Sequence, residues 1–182
     1  MKRSDARVRY TQRILKESLL KLLREKPINK ITVKEVCELA ELNRATFYSH
    51  YSDCFALLES IENELVEAFG QALVLTRSFD VSGIIEAIYE IVEENEDACR
   101  VLIFQNTGGA VLQRMIAQAR DKSIAFWRNE LGGATGEDLE MLYTHLSNGL
   151  MHVVVEGYDR YSKEAIIEFV NRIVKSSLTL FQ

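Results

Sequence analysis

The sequence predicts an all-α protein of about nine helices, with an N-terminal three-helix helix-turn-helix module followed by a larger helical domain. Three observations carry this. Pro27 is the only proline among 182 residues. Apolar residues recur at i, i+3, i+4 and never alternate over a strand-length run. Between Ile31 and Leu58, reading ITVKEVCELAELNRATFYSHYSDCFALL, helix-start signals space two short helices and the beginning of a third.

The expected helices lie at about 6–25, 33–39, 44–50, 53–76, 83–94, 96–104, 110–131, 137–157 and 163–180. In the first, Leu15, Leu19, Leu22 and Leu23 form an apolar stripe, and Lys2, Arg3, Arg7, Arg9 and Arg13 crowd its start. Thr32 with Glu35 three residues later is a capping box for the second helix, whose Val33, Val36, Cys37 and Ala40 share a face. Only Ala40, Glu41 and Leu42 precede Asn43, the N-cap of the third helix. That layout is a helix-turn-helix, and its second helix enters the major groove of DNA.

On a wheel of the third helix, Phe47 and Tyr51 point one way, toward a core, and Ala45, Thr46 and Ser49 point the other. Short side chains there let the helix lie deep in a groove, where a methyl or hydroxyl meets base edges. Arg44 at the helix start is the candidate for a bidentate contact to guanine. The fourth helix is expected to run unbroken, with Phe55, Leu57 and Leu58 packing on the reading module and Ile61, Leu65, Phe69 and Leu73 continuing the stripe. The division expected is therefore 1–52 for DNA binding and 53–182 for effector binding and dimerisation.

Charge follows the same division. The net charge is −5, but residues 1–54 hold 12 Lys+Arg against 7 Asp+Glu, and the remainder holds 10 against 20. A basic module attached to an acidic body suits phosphate attraction on one part only.

At this point the N-terminal pattern, I-T-V, two helices and then T-F-Y-S-H-Y, resembles the TetR family of bacterial transcriptional regulators. The resemblance implies that Tyr48 and Thr32 hold backbone phosphates of a double-stranded DNA operator. It places His50 near the same backbone, although a half-buried histidine satisfied by a carbonyl accounts for it equally. Two departures stand out: Glu41 occupies a turn position where the family usually has glycine, and Cys54 a position where lysine is common. Further on, NEDACRVLIFQNTGGAVLQRMI and HLSNGLMHVVVEGYDRYSKEAIIEFV are similar to the branch typified by the dihydroxyacetone-kinase-operon regulator. This implies a helical body whose last two helices form a homodimer.

The residues point the same way. The final helix offers Ile166, Ile167, Phe169, Val170, Ile173, Val174 and Leu178, a face too wide for one contact. The preceding helix carries Leu139, Leu142, Leu146, Leu150 and Val153, with Gly149 and Gly157 permitting close approach. Leu146, Gly149, Val153, Val170 and Ile173 are the expected dimer contacts. A second stripe, Met141, His145, Asn148, His152 and Glu156, either lines a pocket or lies in that contact, and the contact is favoured. Candidate pocket liners for an unknown small-molecule effector are Cys99, Phe104, Gln105, Trp127 and Tyr143.

Other classes receive little support. No metal site is expected, since His145 and His152 stand two turns apart without further ligands. No phosphate-cradling glycine loop or activated nucleophile supports an enzyme, and no cofactor is expected. Three scattered cysteines argue for reduced thiols. No apolar run approaches the ~18 residues of a membrane span, and MKRSDARVRY lacks a signal-peptide core, so cytoplasmic residence without membrane contact is expected. The expected function is a TetR-like repressor acting as a homodimer on a palindromic operator and released by an effector. The rival is a helical protein-interaction module or an activator without a ligand.

Overall fold

The computed structural model describes residues 3–72, 81–105 and 109–181. Among the described residues there are helices and turns but no strand. The helices are α1 (Arg3–Leu23), α2 (Val33–Leu39), α3 (Arg44–Tyr48), α4 (Cys54–Ala72), α5 (Ser82–Glu94), α6 (Glu96–Cys99), α7 (Ala110–Glu130), α8 (Gly136–Gly157) and α9 (Lys163–Leu178). Short 3₁₀ turns cover Ile28–Lys30 and Thr179–Phe181. None of these helices is long and apolar enough to cross a membrane. By internal contacts the chain divides into two units, Met1–Glu64 with Asp97–Val101, and Leu65–Glu96 with Leu102–Gln182. The division falls within α4.

The first unit is built on α1, α2 and α3, with α2 touching both others. Its core is Leu15, Leu19, Val36, Phe47 and Leu57, each with no exposed surface, and Ile31 and Leu20 close its edges. Burying Phe47 completely contributes up to about 3 kcal/mol, so truncating it would undo the module. Leu22 and Leu23, expected in the α1 stripe, are only half-buried, and Leu20 replaces them inside. Pro27 begins the 3₁₀ turn at φ −68°, a value its ring imposes.

In α4 the buried stripe runs Cys54, Leu57, Ile61, Leu65 and Phe69, at spacings of three and four. Phe55 was expected to pack on the reading module but is 56% exposed. It lies two residues from Leu57, about 200° around the helix, so burying Leu57 turns Phe55 outward. The expected continuation through Leu73 to residue 76 lies outside the described residues.

In the second unit α7 packs on α8, α8 on α9, and α9 on α5. Leu112, Leu131, Leu139, Val170 and Leu178 are almost wholly buried there. The stretch expected as one helix over 96–104 is α-helical only through Cys99 and becomes a π-turn over Arg100–Phe104. Val101, Leu102 and Ile103 are all buried, a run that one face of a regular helix cannot enclose. Thr135 caps α8 through a box with Asp138, whose carboxyl is held below its ordinary range by hydrogen bonds from Thr135. Gly157 permits a close approach as expected, since a Cβ there would lie 3.1 Å from both Tyr161 and Ile166. Gly149 instead faces open space.

Candidate functional site

The helix-turn-helix module is assembled by its caps. Thr32 Oγ1 accepts from the Glu35 amide (3.3 Å), and Glu35 Oε2 accepts from the Thr32 amide (3.0 Å) and hydroxyl (2.8 Å). Lys26 Nζ donates to the other carboxylate oxygen at 2.5 Å. The lysine first, then Thr32, holds the Glu35 carboxyl down at about 2. Thr32 is exposed, but its hydroxyl proton is already given to Glu35.

At the next helix Asn43 Oδ1 accepts from the Thr46 amide (2.7 Å) and hydroxyl (3.0 Å). The turn between α2 and α3 ends α2 in a Schellman motif. The Leu42 amide donates to Cys37 O (3.0 Å) and the Glu41 amide to Glu38 O (3.3 Å). The motif demands a left-handed residue at Glu41, and there φ is 55°. The chain therefore keeps the turn geometry that glycine normally serves and places a glutamate in it.

With Phe47 fully buried, α3 presents Arg44, Ala45, Tyr48 and Ser49 to solvent. Tyr48 is 58% exposed and meets Phe47 edge-on at 5.6 Å between ring centres, so the buried ring aligns the exposed one. Arg44, Arg7 and Arg9 are exposed and make no ion pair among the described residues, whereas Arg13 is held by Glu17 at 2.5 Å. Thr46 is half-buried, and Ser49 Oγ donates to Thr46 O at 2.7 Å. Both hydroxyl protons are thus engaged within the helix, which leaves lone pairs, acceptors, for any partner. His50 is half-buried beside Tyr51, with ring centres 6.3 Å apart, and no carbonyl holds it among the described residues. Cys54 is buried, and desolvation followed by Asp53 raises its thiol, so the residue behaves as packing.

The second unit contains a cavity of about 170 Å³. Trp127 and Tyr143 line it, their ring centres 5.9 Å apart. Cys99, Phe104 and Gln105 are not among its liners. Cys99 is fully buried with its thiol pushed up to about 12 by desolvation and groups with the first unit. Phe104 stacks on Tyr158 at 5.1 Å, and Gln105 is exposed.

These arrangements can be set beside known proteins. No protein-family model matches the chain. An uncharacterised helix-turn-helix-type transcriptional regulator, YxbF of Bacillus subtilis (strain 168), is 39% identical over 59 residues. That match spans 32% of this chain and only 16% of the relative. A solved TetR/AcrR-family transcriptional regulator from Aquifex aeolicus VF5 superposes with a TM-score of 0.62 at 16% identity, covering 91% of this chain and 98% of that one. The dihydroxyacetone kinase operon activator DhaS superposes with a TM-score of 0.60 at 16% identity, covering 94% and 98%. The chain has the TetR-like fold.

Within this TetR-like fold the expected dimer residues separate into two groups. Leu146 and Val170 are buried within the single chain and line the cavity. Gly149 is exposed, and Val153 and Ile173 are half-buried. The outward apolar surface of α8 and α9 includes Met141 (62% exposed) and Phe169 (41%). His145 lies on the exposed side of α8, whereas His152 Nδ1 is engaged by Asn148 O at 2.8 Å. Among the described residues no group of three His, Cys, Asp or Glu could hold a metal. Sequence reasoning missed Lys122, Ser123 and Phe126 as cavity liners. Their signal was present in their i, i+3, i+4 spacing beside Trp127 on one helix.

Proposed function

We propose that the chain is a TetR-like DNA-binding transcriptional regulator: a homodimer that represses from a palindromic operator and is released by a small molecule. Residues 1–52 read DNA, and residues 53–182 bind the effector and dimerise. The observation that carries the reading is α3 itself. It is a capped, pre-formed helix with a buried aromatic back and an exposed face of Arg44, Ala45, Tyr48 and Ser49, within the basic part of the chain. Such a face fits the major groove, and unpaired arginines supply phosphate or guanine contacts. Thr32 acts through its capping box, which fixes the start of α2 in the module. His50 and Thr46 flank the contact.

The outward apolar face of α8 and α9 supports the dimer, with Gly149, Val153 and Ile173 in the contact beside Met141 and Phe169. A symmetric dimer presents two reading helices and so matches two half-sites. The test is selection of bound fragments from the host genome, followed by fluorescence anisotropy over a salt series. Affinity for a selected palindrome should fall steeply and log-linearly with salt. No selected site, or salt-insensitive binding, would refute the proposal in favour of a helical protein-docking module.

A further inference from the structure

We infer that the cavity of the second unit takes a small monocarboxylic acid, its apolar body about one aromatic ring or six to eight carbons long and its carboxylate at Lys122. The inference deepens the effector half of the proposed function and rests on it only for the consequence to DNA binding. Three observations on one site lead to it.

The interior is apolar in effect as well as composition. Ile85, Ile116, Leu146, Val154 and Val170 are buried liners, and two of the polar groups among them, Tyr143 and Ser147, are already engaged. Tyr143 Oη donates to Ile116 O at 2.5 Å, and Ser147 Oγ donates to Tyr143 O at 2.7 Å. Burial pushes the Tyr143 hydroxyl up to about 12, so it stays neutral. A ligand body there meets mainly hydrocarbon and ring faces.

Among the described residues the cavity has one charged liner. Lys122 lines it and is also exposed, which marks the cavity mouth. A lysine in that setting lays its methylene stem along the apolar wall and keeps its ammonium in water. Lys122 makes no ion pair among the described residues. The nearby carboxylates are taken by Arg120, which binds Glu140 through Nε (3.1 Å) and Nη2 (2.5 Å) and Asp121 through Nη1 (2.9 Å). The cation left over at the mouth selects an anionic head.

Size sets the rest. An apolar cavity of ~150 Å³ holds a benzene molecule, so about 170 Å³ accepts a body of that order. Long-chain lipids and large polycyclic molecules exceed it.

Trp127 lines the cavity and is the only tryptophan of the chain, so its emission reports occupancy directly. The experiment titrates the full chain with octanoate, 1-octanol and octylamine. Octanoate should shift Trp127 emission saturably and bind about fivefold or more tighter than the alcohol, with the amine weakest. Lys122→Gln should remove the advantage of the acid while leaving octanol binding unchanged, and Lys122→Arg should keep it. The inference is overturned if acid and alcohol bind the unmutated protein equally, if the advantage survives Lys122→Gln, or if no probe perturbs Trp127. DNA anisotropy without any probe is measured in parallel. Octanoate binding with no DNA binding would refute the regulator but not the site, and the reverse result would refute the site alone.

Discussion

Replacing Glu41 by glycine should make this protein both more stable and a tighter DNA binder, by separable mechanisms. Glu41 sits at φ 55°, where a side chain's Cβ crowds the following carbonyl. The conformation costs an L-residue roughly 1–2 kcal/mol. Glycine relieves that strain but gains freedom in the unfolded chain, which takes back about 0.5–1 kcal/mol. The net gain expected is about 0.5–1 kcal/mol, or a rise in Tm of about 1–4 °C for a chain of this size. Glu41 is also exposed in the turn immediately before the reading helix. Removing its charge should raise DNA affinity at low salt, and the gain should shrink as salt screens it. The assay is urea unfolding followed by far-UV circular dichroism, beside DNA anisotropy at two salt concentrations. Glu41→Ala separates the effects, since it removes the charge and keeps the strain. It should match glycine in DNA binding and fail to match it in stability. An alanine variant as stable as the glycine variant would refute the backbone argument.

Other expectations follow from the same geometry. Thr32→Ala should cost about 1 kcal/mol in unfolding free energy by losing the capping box. Glu35 has a folded pKa of about 2 against an ordinary 4.5. Its stabilisation is therefore complete above about 4.5 and lost as pH falls toward about 2, and Glu35→Gln should flatten unfolding free energy across that window. Arg44→Ala should cost about 1–3 kcal/mol on the preferred site and relax specificity at one base, whereas Tyr48→Phe should weaken specific and nonspecific DNA alike in competition assays. Met141→Asp with Phe169→Asp should give folded monomers in light scattering; Val170→Ala should instead lower stability by about 2 kcal/mol, because Val170 is 1% exposed.

The sequence made the helices and the reading module legible because their signals are local. Thr32, Glu35 and Asn43 announce two helix starts by side-chain chemistry within four residues, and the structure realises each bond. A glutamate where the turn usually has glycine marks a conflict between residue and turn at Glu41, but the left-handed backbone and the Schellman hydrogen bonds have no local signal of their own. Periodicity located the buried stripes but could not rank two apolar faces of one helix. Val170 and Phe169 are neighbours in sequence, yet one is core and the other surface. The cavity was the least legible feature. It depends on which helices meet: Trp127, Tyr143 and Phe104 are alike in aromatic character, yet Phe104 lines no part of it, and neither do Cys99 and Gln105. Lys122 shares the helical spacing of the other liners of its helix, but nothing local distinguishes it as the one at the mouth.

The burial of Cys37, Cys54 and Cys99 gives the protein an internal clock. All three thiols belong to the first unit, and desolvation raises each of them. A thiol reagent in solution reaches them only when that unit opens, so the rate of labelling counts openings of the helix-turn-helix part. Trp127, in the second unit, is silent to the same reagent and reports the other part by its emission. The two halves of the chain therefore carry separate, native reporters. Cys37 labelled with and without octanoate would time how a molecule in one part alters the opening of the other, with no added probe.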